Sequence, residues 1–566
     1  MYYFYMQRHK RIILILIICL GIFFRFFRLN EVPSGLYPDE AMNGNNGLEA
    51  TATHDYKFFY PENNGREGFF INMQALSVAM FGRKPWALRG VSAVCGTLTI
   101  LGIFLVTKEL FSHRGNKRKR SAAATIGLLA AFFLATSYWH INFSRIGFRA
   151  IMLPLITTFA LYFLLKGLRT KNIWTLVIAG FFTGLGFHTY IAFRFFPFLA
   201  AIPLLPELWN YYRRPRPVVP VQKKTTSWAH ISRLPCGPCA VVLYLFATFV
   251  VALPIGVYFI QHPQDFISRS SQISIFATHA PIAEFITSNI KTAGMFFVRG
   301  DCNWRHNYNC QPELVWPVAL FFVVGVFVTI RDIFKRTYER GSIPFVLIGW
   351  LIIMSLPATL TWEGMPHALR SIGMIPPVMI LAAFGCWRLV RALLDWFERL
   401  KFRFTQRIAQ IARIQKEIKI FFMLTLLLLP IYTYRSYFML WANAQETYFA
   451  FTVNLYHLGQ YIQHKPNDMT VYVIADAPGT EVRGIPMPAQ TVMFVTDTFR
   501  ESERTAKHIF YVRPDALDMI HVTKDEHVIF AFLNPDDLSA LTFLNKKFPE
   551  FKLKAPGDFM IMENYY

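Results

Sequence analysis

Charge is scarce in this chain. Only 16% of its 566 residues are Asp, Glu, Lys or Arg, against about a quarter in a soluble domain. That scarcity excludes an ordinary soluble globular protein. There is no internal repeat and no long low-complexity tract. The first apolar run, about Ile12–Phe27, has no small-residue cleavage site after it and is followed instead by Arg25-Phe26-Phe27-Arg28. An uncleaved first helix is therefore expected rather than a signal peptide.

What the chain has is hydrophobicity, 54% of its residues, with 56 Phe among them. Apolar stretches of roughly 17–25 residues recur, the length that crosses a bilayer core. Spans are predicted near 11–28, 86–107, 121–140, 150–166, 173–190, 195–210, 238–260, 314–330, 343–360, 370–390 and 419–440. The net charge of +23 is not the footprint of a nucleic-acid binder, because the basic residues cluster between apolar segments. Loops rich in Lys and Arg stay cytoplasmic. With the N-terminus inside, the cytoplasmic loops hold Lys108 to Arg120, Lys166 to Lys171, Arg213 to Arg233, Arg331 to Arg340 and Arg388 to Lys419. The long segments 29–85 and 261–313 are poorer in Lys and Arg and fall outside.

Segment 441–566 changes character. Val471 to Ala475, Val492 to Val495, His508 to Val512 and Val528 to Phe532 read as strands, and Asn534 to Leu541 reads as a capped helix start. The expected architecture is a polytopic α-helical membrane domain over 1–440 and a small extracytoplasmic α/β domain over 441–566.

Two adjacent carboxylates, Asp39 and Glu40, follow the first span at the start of the outer loop 29–85. A carboxylate at the membrane surface can serve as general base toward a hydroxyl or amine. It can equally cap a helix starting near Ala41. Glu67, Glu49 and His54 in the same loop have the donor atoms for a divalent cation. A helix over 69–81, lying in the interface, is expected from its apolar spacing. Arginines at the outer ends of later spans run against the charge rule: Arg145, Arg149, Arg194 and Arg370, with Arg305 and its neighbour His306 in the second outer loop. Snorkelling to headgroups explains any one of them; together they fit a phosphate clamp. Cys302 and Cys310 are placed to staple the segment carrying Arg305 and His306 in an oxidising compartment. Cys236-Gly237-Pro238-Cys239 has redox-motif spacing but lacks the βα context.

The run Arg25-Phe26-Phe27-Arg28-Leu29 is followed by Pro38-Asp39-Glu40-Ala41. Gly65-Arg66-Glu67, Pro85-Trp86-Ala87-Leu88-Arg89 and Ser144-Arg145-Ile146-Gly147-Phe148-Arg149 come after. Over roughly 10–390 this pattern resembles the integral-membrane C-fold glycosyltransferases of the family 39-like kind, the protein O-mannosyltransferase and lipid A aminoarabinose transferase relatives. The resemblance implies a transferase that uses a polyprenyl-phosphate sugar as donor, with membrane lipid as partner and an acceptor that is protein, lipid or glycan. It implies that Asp39 is the base with Glu40 beside it. It further implies that Arg66, Glu67, Arg145, Arg149, Arg194, Arg305, His306 and Arg370 are candidates for substrate binding. A Lys-Pro-Pro-Leu present in some relatives is absent here, and Arg66-Glu67-Gly68 stands in the similar place. No Asp-x-Asp occurs in the outer loops; Glu67 and His54 are the leading candidates for holding a divalent metal ion. The implied setting is the plasma membrane, multi-pass, with the active site on the extracytoplasmic side. A transporter or flippase of a lipid-linked saccharide is the alternative; against it stand the absence of repeat halves and the gathering of the unusual charges at one face.

Overall fold

The computed structural model describes residues 2–112, 117–213, 237–335, 342–403, 408–466, 468–523 and 525–564. Cys236, and with it the Cys236–Cys239 motif, lies outside them, as do most of the basic residues of the 213–233 loop. The chain divides into two compact units. The first comprises 1–27, 93–144 and 149–439; the second comprises 28–92, 145–148 and 440–566. A boundary thus falls next to 440, and segment 28–92 is gathered into the same unit as the C-terminal segment.

The first unit is helical. Its long elements are α1 (Tyr2–Phe26), α4 (Pro85–Phe111, whose first turns belong to the second unit), α5 (Lys117–Thr136), α6 (Tyr138–Phe143), α7 (Met152–Thr170), α8 (Ile173–Gly186), α9 (Phe196–Arg213), α10 (Gly237–Gln261), α11 (Pro263–Ile273), α12 (Pro281–Gly294), α13 (Trp316–Phe334), α14 (Ser342–Ile353), α15 (Ile375–Arg403) and α16 (Ile408–Tyr434). A helix therefore stands at each of the eleven apolar stretches. Six are long and apolar enough to cross a bilayer: Pro85–Phe111, Arg149–Thr170, Ile191–Trp209, Pro238–Gln261, Trp316–Phe334 and Ile372–Arg399. Ser121–Thr136, Ile173–Gly186 and Ile343–Thr359 are shorter apolar helices. The protein is a multi-pass membrane protein. Lipid gives helices no hydrophobic reason to associate, so close backbone approach matters. Gly325 on α13 and Gly385 on α15 supply it: a Cβ at Gly325 would collide with the Leu381 carbonyl, and one at Gly385 with that of Phe321.

The second unit is α/β. It begins with α2 (Pro38–Thr53), a two-residue hairpin pairing β1 (Phe59–Tyr60) with β2 (Arg66–Glu67), and α3 (Gly68–Phe81). After 440 come α17 (Val453–Gln463), β3 (Thr470–Ile474), α18 (Ala489–Thr496), β4 (Ile509–Val512), β5 (Val528–Phe532), α19 (Leu538–Lys547), β6 (Lys552–Lys554) and β7 (Ile561–Glu563). The sheet order is β4-β3-β5-β7-β6. β3 pairs in parallel with both β4 and β5, in the registers Val471 with Ile509 and Thr470 with Val528; β7 closes antiparallel on β5 and β6. Central β5 is buried at every position, as a strand covered on both faces must be.

One strand expectation fails. Val492 to Val495 lies in helix α18. Every residue of α18 is buried, the polar Gln490, Thr491 and Thr496 included, and the short apolar run Val492 to Val495 has no period to separate helix from strand. Pro488 stands at the N-cap of the helix, and Asp497 in left-handed backbone (φ 55°) ends it. α19 begins as read, with the Asp537 side chain accepting from the Ser539 N–H at 2.9 Å.

Candidate active site

In the second unit the Asp-Glu pair sits in the first turn of α2. Pro38 occupies the first helical position, where its missing N–H costs nothing, and both acids face the positive end of the helix dipole. Glu40 is fully buried. Its Oε1 accepts from the Gly147 N–H at 2.7 Å and Arg89 Nε at 3.0 Å; its Oε2 accepts from Arg89 Nη2 at 3.1 Å and the Tyr37 N–H at 3.3 Å. Arg89, also fully buried, spends its remaining donors on the Pro33 and Gly35 carbonyls at 2.6 and 2.9 Å. Every lone-pair direction of Glu40 is used to join the start of α2, the start of α4 and the strip 145–148. Gly147 must be small there: a Cβ would stand 2.9 Å from Gln74 Nε2 and 3.2 Å from Glu40 Oε1.

Asp39 is different. It is half-buried, and among the described residues its one hydrogen bond is from Asn63 Nδ2 to Oδ1 at 2.5 Å. Oδ2 remains available to an incoming proton. Asn63, Asn64 and Gly65 take three successive left-handed conformations (φ 52°, 62° and 80°), a sharp turn that presents Asn63 to Asp39 and starts β2.

The other loop candidates are held by the scaffold. Arg66 is buried and clamps α2 through Asn43 Oδ1 at 2.7 Å and Asn46 Oδ1 at 2.5 Å. Arg145 is fully buried and donates to the Val32 carbonyl at 2.8 Å and that of Arg28 at 3.3 Å. Glu67 is buried at the N-terminus of α3. His54 is exposed at the C-terminus of α2. Glu49 is gripped by both Nη atoms of Arg483 at 2.8 Å, and that guanidinium holds its carboxyl below the usual range. Among the described residues, Glu67 and His54 do not enter any group of three or more His, Cys, Asp or Glu close enough to share an ion.

In the first unit, Arg194 and Arg370 line a cavity of about 440 Å³ whose wall is otherwise mostly apolar, with Phe195, Phe198, Phe266, Ile273, Phe276, Leu356 and Leu360, and with Tyr190 and His367 among its polar members. Arg194 donates to the Phe266 carbonyl at 2.7 Å and stacks on the Phe266 ring, 3.9 Å from its centre. Arg370 donates to Thr361 Oγ1 at 2.9 Å and the Glu363 carbonyl at 2.8 Å. Arg149 lies over the Tyr190 ring at 5.6 Å. Two guanidiniums set into an apolar cavity can neutralise a phosphate whose tail needs an apolar bed. Arg305 and His306 stand elsewhere in this unit, on the loop closed by the Cys302–Cys310 disulfide. Arg305 Nε donates to Asn303 Oδ1 at 3.1 Å, and His306 Nδ1 is paired with Asp301 Oδ2 at 2.8 Å. Burial lowers the His306 pKa despite that partner. Neighbouring Glu313 is pushed well above the usual carboxylate range by burial and by Asp301.

Breaking the disulfide with Cys302→Ser should cost roughly 2–3 kcal/mol by loop-closure entropy for so short a ring. A matching drop in melting temperature, reproduced by reductant on the unmodified protein, checks it.

Four contributors escaped sequence reasoning: Asn63, Asp301, His367 and the structural role of Arg89. Arg89 does occur in the run Pro85 to Arg89 that carries the resemblance, and His367 stands three residues before Arg370. Asn63 and Asp301 are ordinary loop polar residues whose partners are set only by tertiary structure.

Residues 69–215, about a quarter of the chain, match the family model described as dolichyl-phosphate-mannose-protein mannosyltransferase. Among solved structures, ArnT from Cupriavidus metallidurans bound to undecaprenyl phosphate is similar with a TM-score of 0.54 and 13% identity, over 97% of this chain and 98% of that one. The same protein in the apo state gives 0.54 and 13%, over 97% of each. The Archaeoglobus fulgidus oligosaccharyltransferase in the apo form gives 0.45 and 13%, over 86% of this chain and 64% of that one. No curated protein matches the chain in sequence. The likeness to ArnT spans nearly the whole of both chains and shows a shared fold, and the resemblance to membrane C-fold glycosyltransferases stands.

Proposed function

We propose that this protein transfers a glycosyl group from a polyprenyl-phosphate carrier to an acceptor at the extracytoplasmic face of the membrane. The observation that carries this reading is the apolar cavity holding Arg194 and Arg370, in a fold shared with a protein whose structure is described as bound to undecaprenyl phosphate. The reaction is a single inverting displacement. An acceptor hydroxyl or amine forms a bond to the anomeric carbon as the carbon–oxygen bond to phosphate breaks. The acceptor proton passes to Asp39, and the electron pair leaves on the lipid phosphate. Arg194 and Arg370 stabilise that developing charge, and Arg149 orders Tyr190 on the cavity wall. The eleven helical stretches act as spans, with segments 29–85 and 441–566 on the extracytoplasmic side. Arg66, Glu67 and Arg145 shape the loop that presents Asp39.

Binding of polyprenyl phosphate to the purified protein tests the cavity. Arg194→Met and Arg370→Met should each weaken it by about 1.5–3 kcal/mol, the worth of a hydrogen bond to a charged group, or roughly 10- to 150-fold in Kd. Arg305→Met, off the cavity, should leave it within threefold. Equal affinity in all three variants would reject the cavity as the phosphate site.

A further inference from the structure

Asp301, His306 and His367 in the first unit form a group that glycosyl transfer does not use. Their ligand-capable atoms all lie within 4.8 Å of one another. His306 comes from the loop closed by the disulfide and Asp301 from the residue just before Cys302, five positions away; His367 comes from the loop before α15. Asp301 Oδ2 stands 2.8 Å from His306 Nδ1 and 3.9 Å from His367 Nδ1, and the two imidazole rings are 4.9 Å apart. Asp301 and His306 side chains are 4% and 5% exposed and His367 16%.

We propose that Asp301, His306 and His367 form a mononuclear site for a zinc-class divalent metal ion. Such an ion takes nitrogen and oxygen ligands at about 2.0–2.2 Å, so neighbouring tetrahedral ligands stand about 3.4 Å apart. The observed 2.8 and 3.9 Å bracket that spacing, and shifts of under an ångström convert one arrangement into the other. Two imidazoles with one carboxylate select zinc or another late transition metal over magnesium or calcium, which prefer all-oxygen sites. The supporting bonds are present. The Ala368 N–H donates to Asp301 Oδ2 at 2.8 Å and the Asn303 N–H to Oδ1 at 2.8 Å, fixing the carboxylate as outer partners of metal ligands do. Asn142 Nδ2 donates to the Arg305 and His306 carbonyls at 2.7 and 2.8 Å, and Trp139 Nε1 donates to the Ala368 carbonyl at 3.0 Å, so both ligand-bearing segments are anchored on α6. Ligation through His306 Nδ1 uses the neutral imidazole, and the proton between His306 Nδ1 and Asp301 Oδ2 moves to the other ring nitrogen. His367 also lines the cavity of Arg194 and Arg370, so the ion stands at the cavity wall. The site does not depend on the chemistry proposed for that cavity.

The test uses the full chain in detergent, without a histidine tag, stripped by chelator and then titrated with zinc alone. About one zinc per chain should survive desalting. Zinc should also raise the melting temperature, since it binds the folded state. His367→Gln, at the accessible edge of the group, should fold with an unchanged metal-free melting temperature. It should retain zinc at least tenfold more weakly, and Asp301→Asn should lose it altogether. With cobalt, the unmodified protein should show the visible absorption of a tetrahedral nitrogen–oxygen site, absent from His367→Gln. If the unmodified protein retains no more zinc than the Asp301→Asn, His367→Gln double variant, the proposal is overturned. Equal retention by His367→Gln and the unmodified protein would place the metal elsewhere and overturn it as well.

Discussion

Asp39→Asn should lower sugar transfer by about 10²- to 10⁴-fold, the range supplied by a positioned general base. The side chain keeps its shape, and Asn can rotate its amide so that the Asn63 contact survives as a hydrogen bond. Only the capacity to take a proton is lost, so melting temperature and donor affinity should hold while kcat falls. Asp39→Glu should recover part of the rate, because the carboxylate returns on a longer arm. Single-turnover transfer from a labelled lipid-phosphate sugar measures both variants. A full rate in Asp39→Asn would remove this carboxylate from the chemistry.

Glu40→Gln should show the opposite pattern. Its carboxylate is fully buried against Arg89, and neutralising one member of a buried pair leaves the other uncompensated at a cost of about 3–5 kcal/mol. The expected result is a large loss of stability of the second unit, followed in thermal melting. Any fall in activity should track the folded fraction. Arg89→Met should lose a similar amount. The Glu40→Gln, Arg89→Met double variant should lose less than the sum of the singles, since the second change no longer strands a charge. If Glu40→Gln melts normally and loses transfer as Asp39→Asn does, Glu40 is the reacting carboxylate instead. The two adjacent acids thus separate by environment: the half-buried one has a single hydrogen bond among the described residues, and the fully buried one spends four acceptor directions on architecture.

The membrane class and helix positions were legible because long apolar runs leave little choice of structure. Parallel strands such as β3 and β5 were legible because both are β-branched or aromatic and bounded by turns. α18 was not, since complete burial erases the amphipathic period. The resemblance pointed to Asp39-Glu40, yet only packing divides their duties. The arginine set shows the same limit. Five arginines were marked by the rule that charge at a span's outer end needs a reason, and Arg66 by the resemblance. For Arg66 and Arg145 that reason is hydrogen bonding within the fold, whereas Arg194 and Arg370 enter the apolar cavity. A guanidinium that clamps the scaffold and one that lines a cavity look alike in sequence, because the difference lies in what the fold brings against each. The Asp301, His306 and His367 group was hidden for that reason too: its members are 66 positions apart at the extremes, from 301 to 367.

The most direct measurement follows a doubly labelled polyprenyl-phosphate sugar, one label on lipid and one on sugar, in sealed proteoliposomes supplied with acceptor extracts. The account predicts that the two labels separate: the sugar appears on an acceptor with inverted anomeric configuration, free polyprenyl phosphate accumulates in equal amount, and Asp39→Asn slows both alike. Intact donor crossing the bilayer with its labels still joined, at the same rate in Asp39→Asn, would contradict glycosyl transfer and establish translocation of a lipid-linked saccharide instead.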